Sequence, residues 1–397
     1  MAQLKKNLLF VMGNLRCGGA EKSLISLLQT IDYNLYNVDL QLFSVEGLFL
    51  KQVNSKVTIL PEIQEYHYFD MSLSKALFQA LNKGRWDIIF NRIIVAYIFK
   101  TEKNLSRCEQ RVWKCISKCV KKTPKKYDAV FGFLEKSPVY YAVEKVDAIK
   151  KIGFIHNDYE KLEMDKNIDF PYFEKLDFII TDSNECKEIL VHNFPSFKEK
   201  IKIIFNIVSP ALIHKLAEET VQEQFPQGLK IVSIGRLENQ KGYDFAVDAL
   251  KIVKEKGIRF HWIILGEGVE KQKLMQQIAK NNLVENVSFV GIKENHYPYI
   301  KYANIFMQTS RFEGKSIAID EAKIVGKPIL VTNFSTVNDQ ITHKETGYIT
   351  EMNLQSISEG VIELLQNESL RTLLSNNLSK MTLGTESEIE KIYELLL

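Results

Sequence analysis

The sequence predicts an α/β protein whose two domains each contain a doubly wound parallel sheet. Short apolar runs alternate with amphipathic helical patterns, which is typical of repeated βαβ units. Strands are predicted over 8–12, 129–133, 152–156 and 178–181, and again from Ile231, Ile263, Val287, Ile305 and Ile329 onward. A chain of 397 residues also exceeds what one hydrophobic core normally serves, so we expect two domains that meet near 206–210.

Composition and charge exclude several classes of protein. Hydrophobic residues make up 45% of the chain and charged residues 25%, values that favour a folded globular protein over a disordered one. The net charge of only +3 gives no overall attraction to nucleic acid, and we expect no nucleic-acid partner. No apolar run reaches the roughly 20 residues that span a bilayer, and residues 1–6 lead into a short strand rather than a signal peptide. We therefore expect a cytoplasmic protein.

The cysteines do not indicate a disulfide framework or a zinc site. The chain has five of them, an odd number, and no two form a Cys-x-x-Cys pair. They are Cys17, Cys108, Cys115, Cys119 and Cys186. We expect reduced thiols that serve packing, and no metal site.

The stretch 312–328, FEGKSIAIDEAKIVGKP, places two carboxylates around one loop-to-helix turn. Glu313 precedes a short loop, and Glu321 lies on the helix that follows and ends at Gly326. Backbone N–H groups at the start of a helix receive phosphate or sugar hydroxyls, and a later carboxylate can accept hydrogen bonds from a ribose diol. The alternative is an ordinary amphipathic helix that carries two solvated glutamates.

Two cations upstream indicate a site for a diphosphate. Arg236 follows a predicted strand, and Lys241 precedes a glycine and a helix. A guanidinium and an ammonium group at one strand end can neutralise a phosphate leaving group without a metal. The alternative is that both are surface cations that bridge to Glu238 or Asp244.

A glycine-containing loop follows the first strand. Residues 13–19, GNLRCGG, lie between that strand and a helix predicted over 20–31, where a glycine lets the backbone approach a ligand. The dinucleotide fingerprint G-x-G-x-x-G is absent. The loop does not predict a dinucleotide cofactor.

Together these motifs resemble the retaining glycosyltransferases of family 4, which have the glycosyltransferase-B fold. The resemblance is carried by GGAE at 18–21, G-R-x4-K-G at 235–242, the E-x7-E pair, and the strand ends ILGEG at 264–268 and FVG at 289–291. It implies two Rossmann-like domains facing a cleft. Residues 1–206 would bind the acceptor and 207–383 the nucleotide-sugar donor, and 384–397 would cross back onto the first domain.

The resemblance also implies roles for individual residues. The catalytic group would consist of His156, Arg236, Lys241 and Glu313. The donor would be bound by Gly18, Gly19, Gly266, Gly314, Lys315, Ser316 and Glu321. Position 315 departs from the family pattern, in which an apolar or aromatic residue is commoner. Lys315 could contact a sugar hydroxyl, a donor carboxylate or the diphosphate, but a solvated lysine is the interpretation we favour.

The implied reaction transfers a hexosyl or N-acetylhexosaminyl unit from a nucleotide sugar, expected to be a UDP-sugar, with retention at the anomeric carbon. The acceptor would be a growing, lipid-linked cell-surface glycan of a capsule or exopolysaccharide. No Asp-x-Asp sequence occurs, so we expect no metal and no cofactor beyond the donor itself. The alternatives are an epimerase or phosphorylase of the same fold, or a non-catalytic nucleotide-sugar-binding subunit.

A basic segment at 100–126 indicates a further partner. It contains ten lysine or arginine residues against two glutamates, and apolar residues recur at helical spacing from Leu105 to Cys119. Such a helix could lie on an anionic membrane surface, which would place the protein at the inner face of the membrane. It could equally pack its apolar face inward and leave its lysines in water. The sequence leaves both alternatives open.

Overall fold

The computed structural model describes residues 5–16 and 18–397 and divides the chain into two compact units. The first unit contains the N-terminal strand, Ala20–Phe205 and Ser387–Leu397. The second contains Asn206–Glu386. Each unit has its own parallel sheet and its own hydrophobic core.

The first unit is built on a seven-stranded sheet. Its strands are β1 (Lys6–Met12), β2 (Tyr36–Leu42), β3 (Thr58–Ile59), β4 (Lys126–Gly132), β5 (Asp147–Ile155), β6 (Phe178–Thr181) and β7 (Ile201–Ile203). They lie in the order β3-β2-β1-β4-β5-β6-β7, and every pairing is parallel. The strand order therefore reverses between β1 and β4, as in a doubly wound sheet.

Helices connect these strands, as parallel pairing requires. They are α1 (Gly19–Thr30), α2 (Gln64–Asp70), α3 (Leu73–Asn82), α4 (Trp86–Thr101), α5 (Leu105–Cys119), α6 (Ser137–Lys145), α7 (Lys166–Phe173) and α8 (Asn184–Asn193). A long insertion between β3 and β4 carries four of them, α2 to α5. Strand β1 is fully buried from Leu8 to Val11, as expected for a central parallel strand.

The last helix of the chain, Glu388–Glu394, belongs to the first unit. Its Tyr393 ring stacks on Tyr36 at 5.0 Å, and the Tyr393 hydroxyl accepts a hydrogen bond from the Asp32 backbone N–H at 2.8 Å. Lys6 Nζ donates to the carbonyl oxygen of Leu396. The C-terminal segment thus returns to the N-terminal sheet, in agreement with the sequence prediction.

The second unit is built on a six-stranded sheet in the order β10-β9-β8-β11-β12-β13, again entirely parallel. Its strands are β8 (Leu229–Ile234), β9 (Phe260–Leu265), β10 (Val287–Gly291), β11 (Ile305–Gln308), β12 (Ile329–Thr332) and β13 (Tyr348–Thr350). Its helices are α9 (Pro210–Ala217), α10 (Tyr243–Glu255), α11 (Lys271–Lys280), α12 (Tyr297–Tyr302), α13 (Ile317–Ile324), α14 (Leu354–Gln366) and α15 (Glu368–Ser379).

Both faces of this second sheet are covered. Ile231 and Val232 are adjacent in β8 but belong to separate apolar clusters, because successive side chains of a strand point to opposite faces. One cluster is completed by residues of α10, α11 and α14, and the other by residues of α9, α12 and α13. Two Rossmann-like α/β domains with parallel sheets are therefore present, and the predicted fold class is confirmed.

The basic helix α5 adopts the second of the two arrangements considered from the sequence. Its apolar side is buried, with Val112, Trp113 and Ile116 each at most 5% exposed. Its lysines Lys114 and Lys118 are exposed to water. The core of the first unit therefore covers the apolar side of α5, and the possible contact of segment 100–126 with an anionic membrane stays a prediction that would rest on its charges.

The described cysteines are packing residues. Cys108, Cys115, Cys119 and Cys186 are buried and free of disulfides, and burial raises the pKa of each thiol. Cys17 lies outside the described residues. In the described part of the chain, no helix has the length and apolar character needed to span a bilayer.

A buried carboxyl group lies in the core of the first unit. Asp169 is completely buried on α7 and accepts hydrogen bonds from the Tyr140 hydroxyl, from the Tyr159 hydroxyl at 2.5 Å and from Gln110 Nε2 at 2.8 Å. Burial raises the pKa of Asp169 from 3.8 to about 6, although the three donors oppose the increase.

This carboxyl group is expected to lower stability as the pH rises from about 4 to about 6. In that range the unfolded chain has released the proton that the folded chain still holds, so ionisation favours unfolding. A pKa increase of about two units corresponds to about 3 kcal/mol of unfolding free energy. Urea unfolding of wild type and Asp169→Asn across this range should show the decrease in wild type only, and the exposed-site variant Asp147→Asn should behave as wild type. Parallel pH profiles for wild type and Asp169→Asn would contradict the assignment.

Candidate functional site

Two loops of the second unit meet where its strand order reverses. Strands β8 and β11 are neighbours, and the loops after them run through 235–242 and 309–316. In open α/β sheets, ligands bind outside the carboxyl ends of the strands at such a reversal. The predicted donor residues of both motifs, the G-R-x4-K-G block and the first glutamate of the E-x7-E pair, lie on these two loops.

Gly242 holds the two loops close together. Its φ of +61° lies in the left-handed region, and an added Cβ would be 2.0 Å from the carbonyl oxygen of Thr309. The Thr309 hydroxyl donates to the Gly242 carbonyl at 2.9 Å, and the Arg311 N–H donates to the Gln240 carbonyl at 2.7 Å. Only glycine permits both this conformation and this approach. The ammonium group of Lys241 is thereby placed over the second loop.

Glu313 is the centre of the contacts between the loops. Its Oε1 accepts hydrogen bonds from Lys241 Nζ at 2.6 Å, from Ser310 Oγ at 2.6 Å and from Gln308 Nε2 at 3.1 Å. The residue is 6% exposed, so the ion pair with Lys241 is largely desolvated. Within the described part of the chain, no hydrogen bond reaches Oε2. One oxygen is therefore held in place by three donors and the other is left for a ligand.

Arg236 and Lys241 make different contacts. The half-exposed Arg236 guanidinium lies 3.4 Å from Glu238, as in the surface ion-pair alternative considered above. Lys241 pairs with Glu313 rather than with Asp244. Asp244 instead forms a two-point ion pair with Arg311, at 2.9 and 2.7 Å.

Glu321 is buried on α13 and is already engaged. His296 Nε2 lies 2.7 Å from Glu321 Oε2, and the Tyr297 hydroxyl donates to Oε1 at 3.3 Å. Burial and the neighbouring carboxylate raise the pKa of the Tyr297 hydroxyl. The solvated-glutamate alternative is therefore wrong for Glu321, which is 2% exposed.

The loop before α13 makes its own internal hydrogen bonds. Ser316 Oγ donates to Gln308 Oε1 at 2.8 Å, and the Ser316 N–H donates to Gln340 Oε1 at 2.9 Å. The Lys315 ammonium lies 3.5 Å from Asp320, and only 11% of its side chain is exposed. The side chain lines a cavity of about 170 Å³ together with Lys323, Asp339 and residues 381–385. Our favoured interpretation of a solvated Lys315 is therefore wrong. The predicted donor residue Gly314 lies in the same loop, between Glu313 and Lys315.

Gly266 shapes the edge of the site next to β9. Its φ is +147°, and an added Cβ would lie 2.0 Å from the carbonyl oxygen of Gly235. The Gly266 N–H donates to the Gly291 carbonyl at 2.9 Å. The ends of β8, β9 and β10 are thus held together by backbone contacts, and no side chain could replace the glycine without moving them.

His156 occupies the corresponding strand ends of the first unit. It follows β5, and Asp182 follows β6, directly beyond the paired residues Ile155 and Thr181. His156 Nδ1 lies 3.5 Å from Asp182, and the His156 N–H donates to Glu135 at 3.1 Å. The ring nitrogen Nε2 is buried and has no hydrogen-bond partner among the described residues.

The carboxylates around His156 set its charge. Burial alone lowers the pKa of the imidazole. The carboxylates of Asp182, Glu135 and Glu21 raise it by more than burial lowers it, so the net pKa is above the ordinary value. An Asp partner at Nδ1 also orients the ring and leaves Nε2 for a ligand. Sequence reasoning identified His156 but not Asp182, which has no motif of its own.

The predicted glycine loop is only partly described. Helix α1 begins at Gly19, next to Gly18, and Cys17 lies outside the described residues. Three contact residues had no signal in the sequence, namely Gln308, Ser310 and Arg311. In residues 5–16 and 18–397, no group of three or more His, Cys, Asp or Glu side chains is placed to hold a metal ion.

Known proteins resemble this chain in sequence and in fold. Residues 217–381 match the family model of glycosyl transferases group 1. The uncharacterized glycosyltransferase MJ1059 of Methanocaldococcus jannaschii is 29% identical over 259 residues, which is 56% of this chain and 63% of that protein. The N-acetylgalactosamine-N,N'-diacetylbacillosaminyl-diphospho-undecaprenol 4-alpha-N-acetylgalactosaminyltransferase of Campylobacter jejuni is 27% identical over 206 residues, which is 51% of this chain and 55% of that protein. These matches span less than two thirds of either relative.

The fold has solved counterparts along nearly the whole chain. The crystal structure of Anabaena Alr3699/HepE in complex with UDP and glucose superposes with a TM-score of 0.69 at 16% identity, over 98% of this chain and 99% of that chain. At this identity the likeness concerns the fold alone. The chain therefore has the glycosyltransferase-B fold, and its residues 217–381 match the model of the glycosyl transferases group 1 family.

Proposed function

We propose that the protein is a glycosyltransferase that moves a hexosyl or N-acetylhexosaminyl unit from a UDP-sugar to a hydroxyl of a growing glycan. The observation that carries this proposal is the Glu313 carboxylate, which is held at the strand-order reversal of the second unit with one oxygen open. Sugar hydroxyls donate hydrogen bonds well to a preoriented carboxylate. The family match over 217–381 and the UDP in the HepE crystal structure support the same reaction and donor.

In this proposal residues 207–383 bind the donor. Lys241 and Arg236 neutralise the departing diphosphate, while Glu313 and the backbone near Gly314 orient the sugar. Preorganised cations in a site of low dielectric stabilise developing negative charge without reorganisation. Arg236 must leave Glu238 to do so, which is inexpensive for a half-exposed ion pair. Because these cations supply the charge, we propose that turnover is independent of metal.

Glu321 is proposed to bind the ribose of the nucleotide. Its carboxylate is oriented by His296 and Tyr297 before any ligand arrives. A carboxylate oxygen has two acceptor directions, so a ribose hydroxyl can be added to a group that already accepts one hydrogen bond. The proposed donor site is completed by Gly18, Gly19, Gly266, Lys315 and Ser316. Lys315 is proposed to act by holding the loop in its conformation, because its side chain does not point into water.

Residues 1–206, with the returning segment 384–397, are proposed to bind the acceptor. The Campylobacter relative is named for an undecaprenol-linked acceptor, which supports a lipid-linked glycan as the acceptor class. His156 would contact the transferred sugar through Nε2, with Asp182 as its positioning residue. Synthesis of a capsule or exopolysaccharide is the proposed setting, at the inner face of the membrane.

Retention at the anomeric carbon is also part of the proposal. A double displacement would need a carboxylate nucleophile on the free face of the sugar, whereas the open oxygen of Glu313 is proposed to accept hydrogen bonds from sugar hydroxyls. A front-face route with an oxocarbenium-like transition state fits better, in which the leaving phosphate helps remove the acceptor proton. A glycosyl adduct trapped on Glu313 would refute this route.

The alternatives are distinguished by their products. An epimerase of the same fold would release an altered nucleotide sugar without an acceptor, and a phosphorylase would require phosphate. A non-catalytic nucleotide-sugar-binding subunit would bind the donor without releasing UDP. The conformation of Glu313, held by Lys241, Ser310 and Gln308, favours an enzyme over a binding subunit.

The first test is a panel of nucleotide sugars with purified protein, with and without EDTA. Thermal stabilisation would report binding, and slow UDP release would report turnover to water or to an added acceptor. We expect one UDP-sugar to stabilise the protein and to release UDP equally in the presence of EDTA. Loss of release in EDTA would overturn metal independence, and absence of binding by every donor would overturn the proposed function.

An Asp182→Asn variant is expected to shift the pH profile of kcat/KM. Replacing the carboxylate removes the strongest influence that raises the pKa of His156, so the inflection assigned to His156 should move to lower pH. The measurement is kcat/KM against pH for wild type, Asp182→Asn and His156→Gln. His156→Gln should lack the inflection. An unchanged inflection in Asp182→Asn would show that Asp182 does not position His156.

A further inference from the structure

Helix α4 is apolar around its whole circumference, but only one side is covered. Its sequence, WDIIFNRIIVAYIFKT, has few polar residues in 16 positions. Ile88 and Val95 face the neighbouring helices, since α4 packs between α3 and α5. A helix that is apolar on all sides is normally enclosed by protein or lipid. We therefore expect another molecule to cover the opposite side of α4.

That opposite side carries a run of large exposed side chains. Trp86, Phe90, Ile93 and Tyr97 recur at intervals of four, three and four residues, so they line one stripe of the helix. The adjacent helix α3 adds Phe78 and Leu81, and all six are between 51% and 68% exposed. We call these six residues the aromatic face. Single exposed apolar residues are normal, but six large ones on two helices that pack together mark an interaction site.

The charges at the edge of the aromatic face are positive. Lys75 and Lys83 lie on and after α3, and Lys100 and Lys103 lie at the end of α4. In the part of the chain that the structure describes, none of these four lysines pairs with a carboxylate. The nearby Asp87 is neutralised by Arg85 at 2.7 Å, and Glu102 by Arg111 at 3.1 Å. An apolar surface bordered by unpaired lysines matches a surface that is apolar inside and anionic at its boundary.

We propose that the aromatic face inserts into the headgroup region of an anionic lipid bilayer. Tryptophan and tyrosine are suited to this depth, because their rings are apolar while the indole N–H and the phenol remain near water. Lysines at the border attract acidic headgroups, and their long stems reach past the inserted rings. The exposed lysines of α5, next to α4, add to this attraction.

The proposed membrane contact lies mainly outside the basic segment that the sequence indicated. The basic segment 100–126 contributes charge, whereas the apolar contact comes from residues 78–97, outside that segment. The mode is peripheral, since a helix of 16 residues is about 24 Å long, shorter than the roughly 30 Å of bilayer hydrocarbon. The inference does not depend on the proposed transferase activity, because the donor site lies in the second unit.

Tryptophan fluorescence gives a direct test. The chain has three tryptophans, and Trp113 and Trp262 are buried while Trp86 is 68% exposed. We expect vesicles of phosphatidylcholine and phosphatidylglycerol to shift the Trp86 emission to shorter wavelength, and brominated lipid tails to quench it. Trp86→Phe should still bind the vesicles, measured by flotation, but should lose the shift. Vesicle binding without quenching of Trp86 would overturn the proposed orientation.

Surface variants separate the apolar from the electrostatic contribution. Phe90→Ser with Ile93→Ser should weaken flotation with anionic vesicles about tenfold or more. The matched control is Ile149→Ser, which replaces an equally exposed apolar residue of the same unit and should bind as wild type. Lys83→Glu with Lys100→Glu should weaken binding to anionic vesicles and remove the dependence on phosphatidylglycerol.

Two further outcomes would overturn the proposed membrane contact. Equal binding to phosphatidylcholine alone would exclude an anionic surface. A concentration-dependent dimer in light scattering that Phe90→Ser with Ile93→Ser disrupts, with no vesicle binding, would assign the aromatic face to a second copy. No sugar donor is present in these assays, so their failure would leave the proposed transferase reaction untouched, and failure of that reaction would leave vesicle binding measurable.

Discussion

A Glu313→Gln variant is expected to lose about a hundredfold or more in kcat. The amide keeps the shape of the side chain but removes the negative charge that three donors hold in place. The atom proposed to face the donor sugar then becomes an amide nitrogen, or an amide oxygen that is a weaker acceptor. UDP affinity should change much less, because the proposed nucleotide contacts lie at Glu321 and Lys241. The measurement is single-turnover transfer together with UDP binding by calorimetry.

Stability must be followed in the same experiment. Removing the carboxylate leaves Lys241 without its partner in a site where 17% of the lysine side chain is exposed. We expect a loss of about 2 kcal/mol in unfolding free energy, below the value for a fully buried pair because water still reaches the ammonium group. Glu363→Gln is the matched control, since Glu363 accepts hydrogen bonds from Lys344 and Tyr348 away from the site. A folded Glu313→Gln variant with wild-type turnover would refute the proposed role.

A Gly242→Ala variant is expected to lower the free energy of unfolding by about 3 kcal/mol or more. The methyl group would meet the carbonyl oxygen of Thr309 at 2.0 Å, and the residue must also hold a left-handed backbone conformation. Backbone cannot move aside as a flexible side chain can, so the loops 235–242 and 309–316 must separate. Lys241 would then move away from Glu313, and donor affinity should decrease as well.

Gly257→Ala provides the matched control for the conformational part of this loss. Gly257 follows the same helix, α10, at its other end, and its φ is +74°, yet an added Cβ meets nothing within 4 Å. That variant should cost only about 1 kcal/mol, the usual cost of a left-handed alanine. Urea unfolding and UDP binding of both variants are the measurements. Equal losses in the two variants would show that the contact with Thr309 does not hold the site together.

The sequence by itself determined the fold class and predicted most of the positions that we propose to bind the donor. Alternating apolar runs predicted the central strands, because strands buried on both faces need continuous apolar residues. The strand β2 was not predicted, because polar residues interrupt its apolar run YNVDLQL. The strands β3, β7 and β13 were not predicted either, since three residues or fewer leave no periodic signal. The two glutamates and two cations of the proposed donor site were found because each lies at the end of a strand or the start of a helix, where motifs are local.

Tertiary structure decided which partner each of these residues has. Lys241 pairs with Glu313, 72 positions away, rather than with the nearby Asp244, and Glu321 is held by His296 from another strand end. Such pairings depend on the order of strands in the sheet, which local spacing does not encode. The same reason explains why helices α4 and α5 of the first unit differ in the exposure of their apolar residues. The helical spacing of apolar residues in α5 left a membrane-facing helix possible, but the core covers the apolar side of α5 and leaves one side of α4 exposed, because burial depends on which helices are neighbours.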